Sequence, residues 1–339
     1  LCVIFTPAPS LNTTSSPPFT VSAALLFAFT FQAAVSFILS IPAGVKLDKF
    51  LSAALSIFPF VAASNLTVTS VPDADVSIPL APLILNLMDA TMTIPSTAQS
   101  ERYSQLFAAY PLPDLMRNVQ AHAEIFTIKG VTFPVTRVDE IQPNCFTVST
   151  HAALIDYGLE ETAKLPRWQQ CLLKPFLKAI DRYLHQVGID KALFLNNYAL
   201  STNTLSDEFQ QLPIEELTQT AVGRYPEHAL VIRSLNAQHH ADFMQRLKAQ
   251  NWLFITSRQV YLHDDCQTAL TKHVNSRRDQ KLLNDGQFHF RTAISDSDFA
   301  IAEQCYNQLY IEKYSSQNVQ FSALGLKKMS EAGILKLFI

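Results

Sequence analysis

Residues 192–205 read ALFLNNYALSTNTL, and this stretch decides the fold class. Ala192–Leu195 is a compact apolar run that suits a buried strand, and Asn196 and Asn197 end it. Working back from it, Trp168, Leu172, Leu173, Phe176, Leu177, Ile180, Tyr183, Leu184 and Val187 recur at helical spacing after Pro166. Gly188 stands where a left-handed cap closes such a helix, and Pro175 inside it predicts a kink or a split. Working forward, Ile214–Val222 is helical in pattern, and Ala229–Ile232 is a second buried strand ending in Arg233-Ser234. Ala237–Gln250 is an amphipathic helix, and Leu253–Leu262 reads as a third strand interrupted by Ser257-Arg258. Strands alternating with helices predict an α/β layer of mixed or parallel strands.

Further out, Arg102–Val119 reads as a helix broken at Pro111 and Pro113. Ile125–Val138 reads as a hairpin turning at Gly130, and Phe146–Val148 as a short strand. Toward the other end, Ser276–Asn284 is a short helix closed by Gly286, and the pattern then starts again. Phe288–Ile294 is a strand, Asp296 or Asp298 caps a helix running to about Tyr314, Ala323–Ala332 is a helix ended by Gly333, and Ile334–Ile339 opens a strand. This divides the globular part into residues 92–284 and 285–339.

Charge separates that part from what precedes it. Residues 1–45 contain no Asp, Glu, Lys or Arg, whereas charge of both signs is dense after Met92. Residues 1–91 are therefore expected to lie outside the globular fold. Three origins fit them: an upstream region read through in frame, a membrane anchor over residues 21–45, or a low-complexity extension. The apolar run from Val21 to Val45 is long enough to span a bilayer, and Lys46 and Lys49 would keep its C-terminal flank in the cytoplasm. The expected location is cytoplasmic, or anchored in the inner membrane should that run be an anchor. The net charge of −3 argues against nucleic acid as a partner. Five dispersed cysteines point to free thiols in a reducing compartment.

Several strings together resemble a bacterial branch of the GNAT superfamily: LFLNNYALSTNTL (193–205), LVIRSLN (230–236), SRQVYLHDD (257–265), RRDQKLL (277–283) and LYIEKYSSQNVQF (309–321). The likeness covers most of the chain after Met92, and its arrangement is similar to peptidoglycan aminoacyltransferases, which carry two GNAT-like halves. The resemblance implies a GNAT-like mixed sheet flanked by helices, with the second half incomplete. It also implies transfer of an acyl group from acetyl-CoA or another acyl-CoA to a small-molecule or peptide amine. Two departures stand out. Asn318-Val319-Gln320-Phe321 replaces an expected Asn-Pro-Gln turn, and no Gly-rich turn is present to cradle a pyrophosphate on backbone N–H groups. The acyl-CoA site is therefore expected beyond these residues.

The candidate catalytic residues are Glu312, as base or amine anchor, and Tyr314, which on the opposing reading packs inward from a solvated helix face. Asn196, Asn197, Ser201 and Asn203 follow a buried strand, where polar side chains either line a crevice or cap loop backbone. Arg233 and Arg258 suit a carboxylate or phosphate, or structural ion pairs. Asn318 completes the substrate-binding set. His239-His240 and His263-Asp264-Asp265-Cys266 lack metal-ligand spacing, so no metal site is expected. Hydrolase, P-loop and metalloprotease motifs are missing. A non-catalytic ligand-binding or scaffolding domain of the same shape is the alternative.

Overall fold

The computed structural model describes residues 2–5, 97–255 and 291–339, with 277, 278, 281 and 284 as isolated helical positions. Cys2–Phe5 forms β1, and Thr97–Ala109 and Leu112–Leu115 form α1 and α2, separated at Pro111 as the sequence predicts. β2 (His122–Ile128) and β3 (Val131–Val138) make the predicted hairpin. Its two-residue turn puts Lys129 at φ 49° and Gly130 at φ 81°, the doubly positive geometry that matches strand twist.

A π-helical turn, Ala152–Asp156, leads into α3 (Tyr157–Ala163) and then α4 (Arg167–Val187). β4 (Ala192–Leu195), α5 (Asp207–Gln211), α6 (Ile214–Arg224), β5 (Ala229–Ile232), α7 (Ala241–Ala249) and β6 (Leu253–Ile255) follow. After them come α8 (Asp296–Tyr306), a second π-helical stretch (Asn307–Tyr314) and α9 (Ala323–Glu331).

The sheet order is β2-β3-β4-β5-β1-β6, with β4 and β5 parallel and the other pairs antiparallel. This is a mixed α/β architecture. Alternate residues of the central strands enter different cores, which is why these runs are continuously apolar. Leu193, Leu195, Leu230 and Ile232 pack against Phe209, Leu217, Phe243 and Leu247. Ala192, Phe194 and Val231 pack on the other face against Leu177, Ile180 and Leu184 of α4. A third core joins Tyr103, Phe107, Leu115 and Met116 to Val319 and Met329, so residues 291–339 share packing with α1 and α2. There Gly325 sits so close to Leu115 that an added Cβ would stand 2.1 Å from its carbonyl oxygen.

Several expectations change. At Pro175 α4 does not split but runs as one helix, and its buried stripe is Leu173, Leu177, Ile180 and Leu184, while Trp168 and Phe176 are exposed. Phe146–Val148 is a turn, with Phe146 N–H bonded to Gln317 O and Val148 N–H to Cys145 O in place of a ladder. The first capping residue of α8 is Ser295, with Asp298 completing a reciprocal capping box. Of the strands expected at Phe288–Ile294 and Ile334–Ile339, residues 288–290 lie outside the described residues, and among the described ones a bridge pairs Thr292 with Phe338. Residues 1–91 do not all stay off the domain, since Cys2–Phe5 pairs with both β5 and β6. The expected strand at 259–262, Arg258, His263 to Cys266 and the apolar run 21–45 lie outside the described residues. Among the described residues, no helix is long and apolar enough to cross a membrane. Cys171 and Cys305 are free thiols, and the buried Cys145 Sγ lies 3.2 Å from Gln317 O.

Candidate functional site

The parallel pair β4–β5 ends on Leu195 and Ile232, and the residues that follow each strand meet. Pro134 lies just past the last β3–β4 pair, so its missing N–H costs no ladder bond, and its carbonyl receives Asn197 N–H at 3.0 Å. Asn197 Nδ2 donates to Thr136 Oγ1 at 2.8 Å and to Thr147 O at 3.0 Å. Its Oδ1 accepts from Arg233 Nη1 at 3.0 Å and from Ala199 N–H at 3.2 Å. The buried Arg233 guanidinium also donates to the carbonyls of Leu200 and Ser201, at 3.3 and 3.4 Å. Its central carbon stands 5.8 Å from the centroid of the Phe146 ring.

Asn203 ties the loop to both strand ends. Its Nδ2 donates to Asn196 O at 2.6 Å, its Oδ1 accepts Tyr198 N–H at 3.0 Å, and its own N–H donates to Ser234 Oγ at 2.8 Å. Asn196 Nδ2 donates to Thr204 O at 2.8 Å, which fixes the amide orientation and leaves Oδ1 buried without a hydrogen-bond partner. Burial raises the Tyr198 hydroxyl to about 12, against the Ser100 hydroxyl bonded to it at 2.7 Å.

The backbone here is unusual. Asn196, Ala199 and Ser234 have φ of 51°, 54° and 65°, although none is glycine. Asn tolerates this region, but Ala and Ser occupy it at a cost of about 1 kcal/mol each. Strain of this kind persists where the surroundings over-determine it, commonly at binding sites.

The structure thus gathers Asn196, Asn197, Ser201, Asn203 and Arg233 in one hydrogen-bonded set. Arg258 lies outside the described residues. Glu312 is exposed on the second π-helical stretch and joins none of these bonds, whereas Tyr314 is half-buried, its ring 6.1 Å from Tyr310. Burial raises the Tyr310 hydroxyl, with Tyr314 adding to the effect. Asn318 closes its own loop, with Nδ2 on Tyr310 O at 2.9 Å and its carbonyl receiving Asn118 Nδ2 at 2.7 Å. Phe146 connects the two regions, since its N–H donates to Gln317 O at 3.2 Å while its ring faces Arg233.

Thr136, Thr147 and Ser234 belong to the set and were missed from sequence. Thr136 is brought beside Asn197 by the β3–β4 pairing, and Thr147 belongs to a turn held by Asn118 and Gln317; no local pattern announces either. A scan against protein-family models, a search of curated proteins and a search of solved structures each find no match to this chain.

Proposed function

We propose that the chain is an acyl-CoA-dependent N-acyltransferase-like protein in which the loops after β4 and β5 receive the acceptor, a small-molecule or peptide amine. One observation carries the reading. Asn196 is held left-handed with a buried amide oxygen that has no donor, at the carboxyl end of a parallel strand pair. Ligands of open α/β sheets bind at such ends, and an amine N–H is the group that oxygen needs.

The acyl-CoA donor does not fit the described residues. Their glycines occupy the β2–β3 turn, the first turns of α3 and α9, the end of α6 and the caps after α4 and α9, each singly, and Gly325 of α9 is packed on the Leu115 backbone, so no helix N-terminus opens behind a Gly-rich turn for a pyrophosphate. Glu312, exposed and apart from the loop set, favours the second reading, a ligand-binding domain without catalysis.

Titration of the full chain with primary amines, including a peptide with a free amino terminus, against their N-acetylated forms tests the proposal. Asn196→Gly keeps the backbone geometry and removes the amide. We expect it to weaken amine binding at least about 10-fold, the size of one hydrogen bond to a charged donor. No amine binding, or equal binding by the variant, would overturn the proposal. Release of CoA thiol from acetyl-CoA in the presence of a bound amine separates the enzyme from the binding domain.

A further inference from the structure

We propose that His151, Asp181 and His185 form a binding site for a first-row divalent cation, with Zn2+ the best match to the donor set. The site rests on none of the residues in the amine reading. Asp181 and His185 are one turn apart on α4 and so share a face. His151 reaches them from the start of the first π-helical turn. Its Nε2 lies 2.7 Å from Asp181 Oδ1, and His185 Nε2 lies 3.4 Å from the same oxygen. All three ligand atoms fall within 4.8 Å of one another. Donors of a tetrahedral zinc stand roughly 3.3 Å apart, given bonds of about 2.0–2.1 Å, so small side-chain rotations suffice to enclose an ion.

The surroundings hold the first ligand as metal sites do. His151 Nδ1 lies 3.7 Å from Asp156 Oδ2, longer than a hydrogen bond but close enough for a small ring rotation to bring this carboxylate behind the imidazole, where it would orient a ligating ring. The His151 backbone N–H donates to Asp190 Oδ1 at 2.8 Å, and Ser149 Oγ, which donates to Asp190 Oδ2, accepts Ala152 N–H at 2.8 Å. The His151 side chain is 8% exposed, Asp181 35% and His185 52%, so the cluster opens to solvent on one side. Three protein donors with an open side leave a coordination position for water or a ligand oxygen. The pairs at His239 and His240 offer nothing comparable, because His240 Nδ1 already accepts Asn236 N–H at 3.1 Å in the helix cap.

Calorimetric titration of ZnCl2 into the chelator-stripped full chain tests this, with Co2+ as a spectroscopic substitute. We expect one ion per chain and a visible Co2+ ligand-field band that Zn2+ displaces. His185→Ala and Asp181→Asn should each weaken binding about 100-fold or more, and Asp156→Asn about 10–100-fold with the stoichiometry kept. His185 is half exposed, so its truncation leaves the fold, which matched melts in chelator verify. His122→Ala should bind as the wild-type chain does. An ion pair without metal affinity predicts no Zn2+ uptake by the folded wild-type chain, and that result overturns the proposal. So does uptake unchanged by both ligand variants, or lost on His239→Ala instead.

Discussion

Asp298 accepts a bidentate pair from Arg291, 2.7 Å each, and the N–H groups of Ile294 and Ser295 at 2.9 and 3.0 Å. Arg291 first, and then those two N–H groups, hold its carboxyl far below the ordinary aspartate range. A carboxyl whose folded pKa is depressed stabilises the fold fully above its unfolded pKa and loses that contribution as pH falls. The melting temperature of the chain should therefore exceed that of Asp298→Asn at neutral pH. The gap should narrow as pH drops below about 4, the ordinary aspartate value. A gap independent of pH would show that the carboxylate charge plays no part. At this scale the sequence was legible where chemistry is local: Asn196, Asn197 and Asn203 follow a strand, and Arg233 ends one. It was silent on Thr136, and on His151, whose partners lie a helix away. The Asp181–His185 spacing was visible on the predicted helix, but a single pair without its third donor is common on solvated faces.

At the level of elements, α4 ends as its sequence predicts. Gly188 has φ 63°, and its N–H and that of Ile189 return to carbonyls of the last turn, including Leu184 O. An added Cβ at Gly188 would meet nothing within 4 Å, so Gly188→Ala isolates the conformational cost. We expect a loss of about 1 kcal/mol, a fall in melting temperature of about 2–4 °C. An unchanged melt would mean that the helix end adjusts to another cap. β4 and β5 were legible because strands buried on both faces are apolar without interruption. Phe146–Val148, aromatic and β-branched, is not a strand, because its N–H groups are taken by a turn and by Gln317 O. Composition alone does not say where backbone bonds go.

For the whole molecule, the division at residue 285 was drawn from a restart in pattern, while packing follows different lines: Val319 and Met329 share a core with Tyr103 and Leu115. The other long-range link is β1, which lies between β5 and β6. Sequence alone predicts that a chain starting at Met92 melts cooperatively by itself. With β1 removed, β5 becomes an unpaired edge and β6 loses the strand that joins it to the sheet, so this shorter chain should melt lower than the full chain and associate as concentration rises. Thermal melts and sedimentation check this; an equally stable monomer would show that β1 pairing contributes nothing. The seam between Gly325 and Leu115 has a consequence for amide hydrogen exchange. Arg117 N–H bonds to Gln320 O, and Ser322 N–H to Leu115 O. A methyl group at residue 325 pries these apart, since it meets backbone, which cannot swing aside. In Gly325→Ala both amides should exchange faster by a common factor, while Leu193 and Val231 keep their protection, dividing the molecule into two layers that open on separate clocks.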